Sequence, residues 1–578
     1  MKAQGLPIRI NKAHRDWDAP SAEGDGLRLR NLLPYRGMLR PRNPIQHIPY
    51  TLDSDPVIDG LPIAGDDDGN FDAPGKGVGC AVNNDGLGVL VILTHSNSKV
   101  LARIVKLSLT GTYANPNHSI TDTDVTTYFD GDKTATAPIY DSVALSDRIV
   151  FTNGDSTPVM YDAGANTWTK LTSAPKARTC TVYYEKIVFG NITETGKGDR
   201  IEWSEEGDPT LGYDSGYDNY WVFGQKDTGP VMAVEGTNDA LYVFKRMSIA
   251  AVRGPTEDAF TTDGTREGIS TGRGALGPYC TTVGADGIVY FIDHERDLWA
   301  LLPGGQLQPI TRRADGSSAL EEWNKDFTHS KIGGWRQDYT DISLAYHAAA
   351  NKLTVTPCQN TDPLDYDDAN PLMVDVETGV WCEMQVGATV KYAARPATIR
   401  GEFMVTYLTT KRFYQFPTVF LLEGFDYNLT YERCIAFSLF RDDAAKFDLL
   451  NSANVDPVDM PCTVWTRKVG EEAPGVRHLM VGLNLDVELQ DNDTATNLSL
   501  RKYSDNGVEP TLESGTAQTV SIGNANETGM ERVRFGFREY AMNTMLELSF
   551  TANGDIAGLS QDMVAGIAPV DQQTEYSF

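Results

Sequence analysis

The sequence predicts an all-β chain: a β-propeller of six or seven blades followed by a C-terminal β-sandwich-like domain. Three observations predict it. The 53 Gly and 29 Pro are spread over the whole of the 578 residues, the texture of many short strands and turns rather than of helical bundles. A turn residue followed by a short β-rich run recurs seven times, at intervals of 38 to 65 residues. Helical periodicity is scarce throughout.

Residues 1–77 read as an N-terminal arm followed by an acidic loop. Arg28, Arg30, Arg36, Arg40 and Arg42 fall together with no acid between Gly26 and Asn43. The stretch from Asp53 to Gly75 is the reverse: seven Asp, among them Asp66, Asp67 and Asp68, and no Lys or Arg. Arginine forks suit bidentate pairing with carboxylates. The arm is therefore a candidate interface with a neighbouring subunit or partner ring, set against the plainer reading of a solvated strand and loop.

Residues 78–429 carry the repeat. Asp85-Gly86 precedes Val89-Leu90-Val91-Ile92, Asp147-Arg148 precedes Ile149-Val150-Phe151, and Glu185-Lys186 precedes Ile187-Val188-Phe189. Asp239-Ala240 precedes Leu241-Tyr242-Val243-Phe244, and Asp286-Gly287 precedes Ile288-Val289-Tyr290-Phe291. Weaker copies start at Asn351-Lys352 and Gly401-Glu402. A second element also repeats: Tyr161-Asp162 leads to Trp168 as Val374-Asp375 leads to Trp381, an Asp closing one strand and a Trp opening the next six positions on. That is a hairpin signal. Repeats of this length built of short antiparallel strands suggest propeller blades, because one such sheet cannot bury both its faces alone. A short helix is expected at Ser318–Asn324, where Ser318 and Glu321 can form a capping box.

In residues 430–556 the repeat fades. Alternating runs predict strands at Met480–Leu489, Asn497–Tyr503, Thr519–Ile522, Arg532–Phe537 and Met545–Phe550, hence a separate sandwich-like domain. Residues 557–578 read as a loosely ordered tail or docking strap.

Charge and chemistry narrow the function. The net charge of −29 argues against coating nucleic acid or binding an anionic membrane, since both need clustered Lys and Arg. Seven scattered cysteines with no CxxC predict buried free thiols in a protein made in a reducing cytoplasm. The amino terminus has no apolar run of the signal-peptide kind, and no stretch is long enough for a membrane span. Gly272-Arg273-Gly274-Ala275-Leu276-Gly277 matches GxGxxG, yet strand-like Pro278 to Val283 follows where a dinucleotide site needs a helix. It is predicted to be a loop between blades. The eight His show no metal-ligand spacing. The acid runs Asp66 to Asp68 and Asp365 to Asp368 lack calcium-loop spacing. No catalytic residue, cofactor or metal site is expected.

Several stretches resemble the tail nozzle, or packaged-DNA stabilisation, family of short-tailed bacteriophages. They are Ile201-Glu202-Trp203-Ser204 with Gly207-Asp208-Pro209, Asp227 to Val231, Ala240-Leu241-Tyr242-Val243-Phe244-Lys245 with Ser248-Ile249, and Gly287 to Ile292 with Asp297-Leu298-Trp299. Ser499 to Gly507 and Arg532 to Arg538 resemble its terminal β-domain, although Glu509-Pro510-Thr511 stands where the family carries a Trp. The resemblance implies a structural virion protein of the tail, assembled in the host cytoplasm. It implies a homo-oligomer, a hexameric ring below the adaptor ring of the portal vertex, with tail fibres, spikes or a needle as further partners. It implies no catalytic residue. Phage DNA would pass the channel without specific binding, retained by a constriction for which Asp66, Asp67 and Asp68 are the candidate loop. A negative wall suits that role by repelling phosphate. Two alternatives share the composition: another tail-hub or baseplate propeller, and a glycan-degrading propeller enzyme needing paired carboxylates.

Overall fold

A computed structural model describes residues 4–9, 28–35, 38–42, 45–47, 75–106, 119–311, 342–357, 372–384, 391–393, 403–406, 413–416, 419–425, 432–439, 447–448, 458–465, 478–489, 496–505, 511–512, 517–522, 529–541, 543–551, 556–560 and 562–569, less gaps of one to five residues within these spans. Among these residues every regular element is a β-strand apart from one three-residue 3₁₀ turn, Thr126–Tyr128. The all-β expectation holds. The Ser318–Asn324 helix and the acid runs at Asp66–Asp68 and Asp365–Asp368 lie outside the described residues.

Five sheets, each made of strands consecutive in the chain, and a sixth run of four consecutive strands within a larger sheet follow one another. We call them blades one to six. The first spans Gly75–Val82, Gly88–Ser96, Lys99–Lys106 and Ser119–Asp124. The second spans Asp141–Leu145, Arg148–Thr152, Val159–Asp162 and Thr167–Lys170. Blades three to six begin at Ala177–Tyr183, Val231–Gly236, Thr281–Val283 and Ile342–His347. These first strands lie side by side in chain order, which makes them the inner strands of a propeller. A seventh four-stranded sheet, Lys391–Ala393, Val419–Phe425, Glu432–Leu439 and Ile45–His47, lies against the inner strand of blade one.

Six of the seven sequence repeats fall on one structural position. The runs beginning at Val89, Ile149, Ile187, Leu241, Ile288 and Leu353 are, in blades one to six, the second strand. The reason is burial on both faces: Val150, Phe151, Val188, Phe189, Val243 and Phe244 all sit at 1% exposure or less. A strand sandwiched between neighbouring blades reads as a continuous apolar run. The hairpin repeat also has one meaning. Asp162 ends the third strand of blade two opposite Arg148, 3.6 Å away. Asp375 ends the third strand of blade six opposite Lys352, at 2.6 Å. Each Asp then accepts a backbone N–H of the following turn, Ala165 in one and Glu377 in the other.

The five C-terminal strands occur where the alternation predicts them, as His478–Leu489, Thr496–Asp505, Gln518–Ile522, Gly529–Ala541 and Asn543–Thr551. Three boundaries need correction. The expected tail 557–578 contributes strands Ile556–Ser560 and Asp562–Pro569, both paired with His478–Leu489. The expected arm 1–77 is woven into the sheets: Gln4–Arg9 pairs with Asp562–Pro569, and the Leu32–Tyr35/Met38–Pro41 hairpin pairs with Ile556–Ser560. The third correction is that the propeller and the C-terminal domain are not separate. Arg28–Arg30 lies between Trp381–Glu383 of blade six and Pro461–Trp465 of the C-terminal domain, joining them in one ten-stranded sheet. A single apolar core runs from Tyr290 and Leu344 through Trp381 to Val464, Leu483 and Leu548.

Four glycines stand in register across four neighbouring strands of this sheet: Gly5, Gly566, Gly482 and Gly536. At Gly482 (φ 154°) a Cβ would lie 2.5 Å from the Phe535 carbonyl oxygen. The register also shifts beside it, between Met480 and Gly482. A bulge on a row without side chains bends a sheet sharply.

Candidate functional surfaces

The arginines of the arm are used inside the chain wherever their side chains are described. Arg40 pairs with Glu488, its Nη2 shared between the two carboxylate oxygens at 2.9 and 3.0 Å. Arg42 is 2% exposed and donates from Nε to the Asn31 side-chain oxygen at 2.8 Å. Arg30 is half-buried on the seam strand. Arg28 opens that strand, and Arg36 lies outside the described residues. Arg40 thus pairs with a carboxylate of the same chain, Glu488, through one nitrogen and not as a two-nitrogen fork. Asp66, Asp67 and Asp68, the candidate channel loop, lie outside the described residues.

The GxGxxG segment lies between the last strand of blade four, Thr265–Thr271, and the first of blade five. No helix follows it, as expected for a loop between blades. Its glycines permit close backbone approach. A Cβ on Gly274 would lie 1.8 Å from the Lys245 carbonyl oxygen, the same oxygen that accepts from Ala275 N at 2.9 Å.

That loop meets an acidic turn which sequence reasoning did not single out. In blade five the turn after strand Val289–Ile292 carries Asp293, Glu295 and Asp297, whose carboxylate oxygens lie within 4.8 Å of one another. Asp293 is fully buried, and its Oδ1 accepts the backbone N–H groups of Glu295 and Asp297 at 3.0 and 2.9 Å. Arg273 from the glycine loop bonds Asp293 and, at 3.0 Å, Glu295. Its guanidinium also stacks over Trp299, 4.3 Å from the ring centroid. Burial alone would lower the Arg273 pKa, but the two carboxylates outweigh it and hold the group above its ordinary value. A fixed cation already pairs with two of the three carboxylates, so the turn acts as a latch between blades four and five. The alternating Asp-x-Glu-x-Asp was visible in the sequence; its partner, 20 residues earlier, was not.

The centre of the ring is crossed by a direct contact. Tyr279, just before blade five, donates its hydroxyl to the Ile139 carbonyl just before blade two at 3.0 Å, and the two buried side chains pack together. The Tyr279 carbonyl accepts from Leu344 N in blade six at 3.0 Å. Inner strands are cross-linked by polar side chains as well. Ser142 Oγ donates to Val78 O at 2.7 Å, Asp141 Oδ2 accepts Cys180 N at 3.0 Å, and Thr181 Oγ1 accepts Gly236 N at 2.9 Å. The five described cysteines, Cys80, Cys180, Cys280, Cys382 and Cys462, are buried free thiols, as the spacing predicts. Among the described residues no helix is long and apolar enough to cross a membrane.

No family model and no curated protein matches the chain. Solved structures similar to it share only low identity. One is the extracellular domain of a hybrid two-component system from B. thetaiotaomicron, 11% identical, TM-score 0.35, covering 69% of this chain and 40% of that one. Another is PorZ of Porphyromonas gingivalis, a surface component of a type-IX secretion system, 12% identical, TM-score 0.28, covering 72% and 60%. A third is Chaetomium thermophilum Sqt1, 9% identical, TM-score 0.32, covering 64% and 97%. The chain thus spans less than two thirds of the first two.

Proposed function

We propose that the chain is a structural protein of a short phage tail, a nozzle subunit that assembles as a ring, conducts DNA and does not turn over a substrate. The observation that carries the reading is where the motifs resembling that family fall. Ile201 to Ser204 lies on the third strand of blade three, Leu241 to Lys245 is the second of blade four, and Val289 to Ile292 the second of blade five. The motifs follow one another blade by blade in a propeller that continues into a C-terminal β-domain. The charge of −29 supports a conduit that repels phosphate over a Debye length of about 10 Å at 0.1 M salt.

The Tyr279–Ile139 contact shapes the proposal. With the propeller axis crossed by side chains, a DNA channel would lie between subunits of the ring and not through one propeller. Propeller walls would then face the duplex, and the hexamer rather than the single chain would be the functional unit. The adaptor ring of the portal vertex is the proposed neighbour.

The mass of the purified assembly, measured by native mass spectrometry, tests this. Six copies are the expected result, with weak duplex binding at physiological salt. A stable monomer would overturn the ring. Tight binding with a steep salt dependence would replace the repelling wall with a gripping one.

A further inference from the structure

We propose that residues 28–42 are a keystone strap: a segment from near the start of the sequence that locks blade six and the C-terminal domain into one mechanical unit, and whose release lets the two move apart. The inference stands on the seam alone and holds whether or not the chain forms a nozzle.

The strap is held unequally on its two sides. Arg28, Leu29 and Arg30 pair antiparallel with Trp465, Val464 and Thr463 of the C-terminal domain. Toward blade six the pairing is parallel and consists of Arg30 opposite Glu383. Parallel pairing is the weaker kind per residue, so the joint on the propeller side opens first.

The turn after the strand is built for this place. Asn31 adopts φ 55°, a conformation Asn tolerates better than most residues. Its amide donates to Pro461 O at 2.8 Å, and its side-chain oxygen accepts Arg42 Nε at 2.8 Å. Its carbonyl accepts Arg42 N at 2.9 Å. Both Asn31 and Arg42 are buried. Burying a guanidinium is costly unless it is hydrogen-bonded, and here the bonds tie the two ends of the strap to each other and to the C-terminal domain. Leu29, Leu32, Leu33 and Leu39 add their side chains to the core that blade six shares with that domain. The Arg40–Glu488 ion pair fastens the far end.

Sequence distance makes the strap a late addition. Asn31 and Pro461 are 430 residues apart. Their contact closes a very long loop, and such contacts form after local hairpins. The seam contact is therefore expected to form after the blade hairpins.

Hydrogen exchange followed by mass spectrometry on the full chain tests the proposal, comparing it with Asn31→Gly, which keeps the φ and removes the amide. In the unaltered chain, Lys352–Pro357 of blade six and Asn543–Thr551 of the C-terminal domain should open together. In Asn31→Gly the blade-six strand should exchange about tenfold faster than the C-terminal strand, with blades one to four unchanged. Should that variant fail to fold, Arg40→Gln, which removes the charge paired with Glu488 at a half-exposed site, should give a smaller split in the same direction. Either variant opening residues 28–42 while blade six and the C-terminal domain keep a common rate would overturn the proposal. So would acceleration spread evenly over all blades.

Discussion

Blades one to five and the seam around Asn31 close their sheets in opposite ways. In blade two each strand pairs with its neighbour in the chain, and Arg148–Thr152 reaches both partners across short turns. At the seam Arg28–Arg30 pairs with partners from the middle and the far end of the chain. The cores follow suit. Trp168 packs with Phe151, Tyr161 and Phe129 in a cluster confined to blades one and two. Trp381 belongs to a cluster that runs from blade five to the C-terminal domain. Local closure makes units that can loosen one at a time. Long-range closure makes one unit whose parts fail together.

Two tryptophan truncations give the largest expected effect and set the two regions against each other. Trp168 is 9% exposed and Trp381 is 2% exposed, and either change to Ala should cost about 3–5 kcal/mol. The reach of the damage should differ. In Trp168→Ala, hydrogen exchange should quicken in blades one and two and leave Asn543–Thr551 alone. In Trp381→Ala it should quicken in blades five and six and in the C-terminal strands at once. The same reach for both variants would erase the distinction between modular blades and a fused seam.

A smaller effect separates the regions by pH. His347 ends the inner strand of blade six, fully buried, with Nε2 2.9 Å from Thr354 Oγ1. Burial pulls its pKa down from 6.5 to about 3. The folded value lies below the unfolded one, so below pH 6.5 the unfolded chain binds the extra proton. His347 therefore allows full stability above pH 6.5 and subtracts up to about 1.4 kcal/mol for each unit below it, until pH nears the folded value. Urea midpoints for His347→Gln should be flatter than those of the unaltered chain between pH 6.5 and 4. Parallel curves would mean that His347 takes up its proton as readily folded as unfolded.

What could be read from the sequence follows the same divide. The second strands of blades one to six were legible because burial on both faces writes a continuous apolar run beside a turn, as at Asp239-Ala240 before Leu241. The C-terminal strands were legible because Val487-Glu488-Leu489 alternates. Strands Ile556–Ser560 and Asp562–Pro569 were not, since small residues interrupt their apolar ones and leave no clean alternation. The N-terminal strands were hidden for a related reason. Pro7, Pro34 and Pro41 lie within them, and Pro is tolerated at sheet edges but signals no strand. The arginine run was legible as carboxylate-pairing chemistry. That Arg42 is buried against Asn31 depends on a backbone turn and on a partner strand beginning at Pro461, neither of which local pattern encodes.

The smallest effect tests whether the first blades are joined by more than apolar packing. Asp130 lies in the connector between blades one and two. It accepts the Thr157 N–H and hydroxyl at 2.8 and 2.9 Å and pairs with Lys170 at 2.9 Å. Partial burial pushes its pKa up, but the bonds from Lys170 and Thr157 together outweigh that and lower it from 3.8 to about 2. The folded value is depressed, so the stability it gives is present above the unfolded value and is lost as pH falls from about 4 toward 2. Asp130 is largely exposed, and solvent screening keeps the contribution below about 1 kcal/mol. Asp130→Asn should weaken protection in Val159–Asp162 slightly at pH 7 and not at pH 2, with no change in Trp381–Glu383. A loss that persists at pH 2, or one that reaches blade six, would show that the connector acts through packing shared around the ring and not through this local ion pair.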